Sequence, residues 1–274
     1  MSPVLVIAGH ELAGGLRNKW VASSVGAMIA FSLSLALLGA APVGGLGAGP
    51  LEVVLASLAG LSVFLLPLIA LLLGHDAIAG EAERGTLLLT LAYPVARWQL
   101  LAGKFLGHTA ILAVAVLLGF GSAALAVTAG GAADAEAWPA FLLLVASAVA
   151  MGAVFLALGY LVSARVAERG TAVGLAVGLW LGFVIVYDLA FLGLLVAGGE
   201  GLPAALVQAL ILLNPADVFR LLNLGQSAAV SLGTGADIAG SKAGLGPLVL
   251  GASLLAWLGG VLALAWLAFK RREI

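Results

Sequence analysis

Long stretches without Asp, Glu, Lys or Arg dominate the chain. Five are uninterrupted, at 21–51, 53–74, 109–133, 137–164 and 243–269, and a sixth, at 170–199, is broken only by Asp188. A bilayer core takes about 20 apolar residues as a helix. Trimmed at Gly and Pro clusters, the stretches predict spans near 22–41, 53–74, 109–130, 139–162, 171–197 and 247–269. Membrane strands would appear as short alternating segments, so the expected fold class is an all-α membrane protein of six transmembrane helices in a single domain, 1–274.

Three stretches interrupt this pattern. Residues 2–20 set Leu5, Ala8, Leu12 and Leu16 at helical spacing against His10, Glu11, Arg17 and Lys19, which predicts an amphipathic interface helix with Trp20 at headgroup depth. Residues 75–108 hold Glu81, Glu83, Arg84, Arg97 and Lys104 around an apolar run, which predicts a structured hairpin broken at Pro94 and followed by a basic second helix. A loop meant only to join two spans needs a handful of residues. This one reads as a surface that docks into another protein, with a helix lying on lipid as the other reading. Residues 199–246 remain largely apolar, yet the uncharged run at 204–213, between Pro203 and Pro215, is too short to cross, so a re-entrant or interfacial helix is expected.

Composition excludes the alternatives to a membrane protein. The 274 residues are 63% hydrophobic and 9% charged, against roughly 25% charge in soluble domains, and that little charge cannot clothe a soluble fold. Without cysteine there is no disulfide scaffold, and a net charge of −1 gives no electrostatic footprint for nucleic acid. Basic residues orient the bundle. Arg17, Lys19, Arg84, Arg97, Lys104, Arg165, Arg169, Lys270, Arg271 and Arg272 fall on one side and only Arg220 and Lys242 on the other, which predicts cytoplasmic termini. Glu52, Asp134 and Glu136 then sit in outward loops.

Missing chemistry narrows function further. The only Gly-Lys pair, Gly103-Lys104, is followed by Phe105, so no Walker A phosphate loop exists, and Gly119-Phe-Gly121 is only a fragment of a dinucleotide fingerprint inside a span. His10, His75 and His108 map to the cytoplasmic side, which leaves no histidine base for an intramembrane serine protease. With no Cys, Met only at 1, 28 and 151, and no histidine ligand spacing, the expected metal and cofactor content of the chain is none.

Four features are candidates for function. Asp188 is the one charge inside a predicted span and reads either as a functional or helix-pairing carboxylate or as a group at the outer interface, about 25 Å along span five. Gly170, Gly174, Gly178 and Gly182 put small residues on one helix face, expected first to pack within the chain and second to form a dimer contact. Pro67 kinks span two, as ordinary packing or as a hinge. The fourth is the hairpin.

Six spans, an amphipathic start with Ile7, Glu11, Leu16 and Arg17, and the hairpin signature Glu81-x-Glu83-x-Gly85-Thr86-Leu87 with Pro94, Arg97 and Lys104 resemble the ABC-2 class of ABC transporter permeases. That resemblance implies that the hairpin is a coupling helix moved by a separate ATPase, that Glu11 and Arg17 lie on a connecting helix, and that the last outward loop holds re-entrant helices. It implies that Glu81, Glu83, Arg84, Gly85 and Thr86 meet the ATPase while Leu87 and Leu91 fill its groove. The strings ELAGGLRNKW, FLLPLIALLLGHDAIAGE, TLAYPVARWQLLAGKFLGH, LLNPADVFRLLNL and VYDLAF resemble, within that class, permeases of nitrous-oxide-reductase maturation. The implied assembly is a permease homodimer in the bacterial inner membrane with two cytoplasmic ATPase subunits that hold ATP and Mg, and a periplasmic β-helical protein that handles copper. The chain offers no ladder of copper ligands across the membrane, so the expected role is to transmit motion, or to export a sulfur species, without conducting copper. Rival readings are a generic exporter and a static membrane anchor; a membrane enzyme is the weakest.

Overall fold

The computed structural model describes residues 2–39, 50–131, 137–198, 202–224 and 244–272. Among these every regular element is a helix: α1 (Pro3–Leu16), α2 (Lys19–Gly39), α3 (Pro50–Gly74), α4 (Ala79–Glu83), α5 (Thr86–Leu91), α6 (Arg97–Ala129), α7 (Trp138–Arg165), α8 (Arg169–Leu181), α9 (Tyr187–Gly198), α10 (Ala204–Leu212), α11 (Pro215–Leu224) and α12 (Pro247–Arg271). Among the described residues five segments are long and apolar enough to cross a membrane, namely Val53–Glu83, Arg97–Ala129, Trp138–Arg165, Arg169–Gly198 and Pro247–Arg271, and up to seven if each bent helix pair counts as a span. The protein is therefore an all-α, multi-pass membrane protein. Asp134, Glu136 and Lys242, much of the loop at 42–52, and the side chains of Trp20 and Glu52 lie outside the described residues.

Helix α7 is the centre of the bundle, with α3, α12, α6 and α11 around it. Its approach to α3 is set by two glycines: a Cβ on Gly74 would fall 2.7 Å from the Leu156 carbonyl, so the backbones meet where only hydrogen fits. Tyr160, Phe155, Phe120, Phe219 and Phe269 fill the core beside them. Packing of this kind, with small residues admitting close backbone contact, is what holds helices together where lipid removes the hydrophobic drive.

Three boundaries differ from the sequence expectation. Helix α6 starts at Arg97, twelve residues before the expected span, so the basic second helix of the hairpin and the third span are one continuous rod. Gln99 Oε1 accepts the Ala96 N–H at 3.0 Å and fixes that start just past Pro94, and nothing between 97 and 108 breaks a helix. The fifth span is not uniform either, because Gly182–Val186 widens into a π turn between α8 and α9. Finally, α10 and α11 meet at 106°, Pro215 being unable to continue the helix before it.

Candidate functional site

The hairpin is fastened to the bundle by polar contacts that begin at its first turn. Ser163 Oγ, near the end of α7, accepts the N–H groups of Ile78 and Ala79 at 3.0 and 2.9 Å, so α4 starts with its free donors satisfied. Gly85 then reverses the chain at φ 71°, a left-handed conformation that favours glycine. Helix α5 presents Leu87 to the core at 1% exposure, while Leu88, Leu89 and Tyr93 stand out at 57%, 68% and 71%. These three side chains form an apolar ridge on the outside of an otherwise polar hairpin.

Beneath the ridge lies a buried ion-pair chain. Lys104 Nζ on α6 donates to Glu81 Oε1 on α4 at 2.6 Å and to Glu11 Oε1 on α1 at 2.5 Å. Glu11 Oε2 lies 3.4 Å from His108 Nε2, and His108 Nδ1 lies 2.7 Å from Tyr160 Oη on α7. One tautomer serves both contacts: a proton on Nε2 faces the carboxylate and Nδ1 accepts from the Tyr160 hydroxyl. Burial alone would raise the Glu11 carboxyl, but the His108 hydrogen bond, the charge of Lys104 and the Lys104 hydrogen bond outweigh it and bring it from 4.5 to about 2. The contribution of this contact is complete above about pH 4.5 and is lost only as pH falls toward 2. It holds throughout the physiological range.

Helix α1 reaches the cluster because α6 has no side chains in the way. A Cβ on Gly107 would lie 2.6 Å from Glu11 Cβ and 2.8 Å from the Ala8 carbonyl, and one on Gly103 would lie 2.7 Å from Ile7 Cβ. The hairpin's remaining acids face α8: Glu83 Oε2 accepts the Arg169 N–H at 3.0 Å, and Asp76 Oδ1 pairs with Arg169 Nε at 3.0 Å. Thus α1, α4, α6, α7 and the start of α8 are tied at one end of the bundle by charge.

A second cluster lies on the far side, at the bend between α10 and α11. Arg220 NH1 donates to Asp217 Oδ1 at 3.0 Å and to Asp188 Oδ1 at 3.2 Å, which links α11 to α9. Asn214 Nδ2 donates to the Phe183 carbonyl inside the π turn at 2.9 Å and to Asp217 Oδ2 at 3.0 Å. Tyr187 Oη donates to Leu210 O at 2.6 Å and Trp257 Nε1 to Leu212 O at 2.9 Å. A broken backbone away from water needs such partners, and here side chains from α9, α11 and α12 supply them.

The whole length of the chain carries one further observation: residues 5–274 match the ABC-2 family transporter protein family. The chain belongs to the ABC-2 family. It is 46% identical over 277 residues to the probable ABC transporter permease protein NosY of Pseudomonas aeruginosa, covering 100% of both chains. A protein of the same name in Stutzerimonas stutzeri is 45% identical over 279 residues, with 99% of each covered. Membership of the ABC-2 family gives the chain a permease role as a transmembrane subunit.

In this ABC-2 permease the expected coupling residues divide. Thr86 and Arg84 are exposed, Arg84 in a surface pair with Asp76 at 3.4 Å, and Thr86 Oγ1 donates to the Glu81 carbonyl. Glu81 and Leu87 turn inward. Leu87 is part of the core and Leu91 packs against it, whereas Leu88 and Leu89 are exposed, because a six-residue helix can expose only one side. Arg17 ends α1 with its N–H on Gly14 O at 3.3 Å and an exposed side chain. Pro67 lies inside an unbroken α3, and the carbonyl of Phe64, one turn before it, accepts Trp180 Nε1 at 2.9 Å.

The glycine stripe departs from expectation. A Cβ at Gly170, Gly174, Gly178 or Gly182 would meet nothing within 4 Å, so among the described residues nothing packs on this face. Helix α8 turns Ala172 and Ala176 inward instead. Sequence reasoning missed Lys104, His108, Tyr160 and Arg220 as site residues. A signal existed for Arg220, since it and Asp188 are isolated opposite charges assigned to the same end of the bundle. Among the described residues no group of three His, Cys, Asp or Glu side chains is placed to hold a metal ion.

Proposed function

We propose that this permease carries the motion of a separate ATPase across the inner membrane to a periplasmic partner that assembles the copper site of nitrous oxide reductase, without passing copper itself. The observation that carries the reading is the chain Glu81, Lys104, Glu11, His108, Tyr160, which joins the exposed hairpin to the interface helix and to two long helices through buried hydrogen bonds. Leu88, Leu89 and Tyr93 enter the groove of the ATPase, whose own site holds ATP and Mg. Closing of the ATPase pair pushes α4 and α5, and Lys104 obliges α1 and α6 to follow.

Two copies meet through the face of α8 and α9, where the four glycines are open and most of the span is not buried. Six spans cross, with α1 on the cytoplasmic surface and the α10 and α11 pair as a re-entrant segment held by Arg220. The NosY name of the relatives, together with the strings common to nitrous-oxide-reductase maturation permeases, supports the copper-assembly assignment. Replacing both Leu88→Asp and Leu89→Asp removes the docking ridge while leaving the buried cluster intact. The expected result is loss of the ATPase subunit from affinity-purified complexes and nitrous oxide reductase lacking its copper. Normal co-purification of the ATPase with this variant would overturn the docking assignment.

A further inference from the structure

The ends of α7 and α12 enclose a cleft that coupling does not use. Its volume is about 580 Å³, within the range of built small-molecule sites, and it is lined by Arg165, Leu264, Leu267, Ala268, Arg271 and Arg272. Along α12, Leu264, Ala268 and Arg271 recur at i, i+4 and i+7, so one helix stripe runs from apolar to cationic. The rise from Leu264 to Arg271 is about 10 Å. Leu264 and Leu267 are exposed at 49% and 46%, facing whatever surrounds the bundle.

The cationic end is partly preset. Arg272 leaves the helix in an extended conformation, and its NH1 donates to the Ser163 carbonyl at 2.7 Å across the cleft, while its own carbonyl accepts Arg97 NH1 at 3.0 Å. Burial pushes the Arg272 guanidinium below its ordinary value. Arg165 and Arg271 make no ion pair with any described residue. Two helix C-termini end here, together worth roughly one negative charge, and three guanidiniums exceed them. Among the described residues the cleft therefore carries more positive than negative charge and suits an anion.

We propose that this cleft binds one anionic phospholipid, its phosphate among Arg165, Arg271 and Arg272 and an acyl chain over Leu264 and Leu267. A free phosphate would satisfy the guanidiniums but leave both leucines uncovered. A soluble protein does not reach them, because α12 is long and apolar enough to cross the hydrocarbon and both leucines lie one to two turns inside its basic end at Lys270 and Arg271. Basic residues beside the headgroup layer each contribute about 1 kcal/mol toward anionic lipid. The expected preference over a zwitterionic lipid is therefore tenfold or more, by order of magnitude about 2 kcal/mol for two arginines.

The test is native mass spectrometry of the purified full chain released from micelles holding equal phosphatidylglycerol and phosphatidylcholine. The wild type is expected to retain one phosphatidylglycerol per chain. The pair Arg165→Gln and Arg271→Gln is expected to lose about tenfold of that retention, whereas Lys270→Gln, which removes a charge beside the cleft, is expected to keep it. In a second readout that needs no variant, the wild-type thermal midpoint rises with phosphatidylglycerol and not with phosphatidylcholine. Equal retention of both lipids, an equal loss in Lys270→Gln, displacement of the lipid by millimolar glycerol phosphate, or displacement by added ATPase subunit would each overturn the proposal.

Discussion

In sequence Lys104 reads as one of the charges of the 75–108 hairpin, with nothing to mark it as the centre of a buried cluster. Its two carboxylate partners come from segments 93 and 23 residues away, and no periodicity announces them. Such a pair gives little net stability but is costly to break from one side, since the remaining charges are stranded. Arg220 shows the same asymmetry. Its side chain is 3% exposed and faces both Asp217 and Asp188. Asp188→Asn keeps the Asp217 pair and is expected to lower the thermal midpoint slightly. Arg220→Gln leaves two carboxylates around a vacated cation, and its expected loss is larger, about 3–5 kcal/mol. Thermal unfolding in detergent orders them wild type, Asp188→Asn, Arg220→Gln; equal midpoints for the two variants would contradict the triad.

At the scale of elements, the existence of the long helices was legible because stretches free of charge leave no other solution in a bilayer. Phase and facing were less so. In α5 a six-residue helix is too short for periodicity to choose between Leu87 and Leu88, and only the tertiary contact of Leu87 decides. In α8 the glycine stripe announced a close approach but not to what, and the alanines on the opposite face took the contact within the chain. Gly103 and Gly107 of α6 admit α1 to the site, yet in the sequence Gly103 reads only as part of a missing phosphate loop and Gly107 carries no signal. Gly107→Ala would drive a Cβ into Glu11 and the Ala8 carbonyl, so the expected cost is about 1–3 kcal/mol with α1 more exposed to protease. Gly174→Ala meets open space and is expected to leave stability of the single chain unchanged or slightly raised. Similar protease sensitivity in the two variants would contradict the docking of α1 through Gly107.

Among the described residues of the whole molecule, Lys104 at one end and Arg220 at the other are the buried centres of two polar clusters joined by apolar helices. One cluster binds α1, α4, α6 and α7, and the other binds α9 and α11 with Asn214 on the π turn. Helix α7 touches both ends, through Tyr160 at one and through Ser147 and Asn223, 2.9 Å apart, at the other. On the proposed function, a displacement imposed on the hairpin travels along this series of contacts to the bend between α10 and α11. The absence of cysteine makes that route measurable, because one introduced Cys per chain is the only labelling site. With a spin label at Leu206→Cys on α10, in complexes with the ATPase, the distance between the labels of the two copies is measured with ATP trapped and with ADP. The account predicts a distance that shifts between the two states in the otherwise wild-type chain and stays fixed in Lys104→Gln while the ATPase remains bound. No shift with ATP, or the same shift in Lys104→Gln, would contradict it.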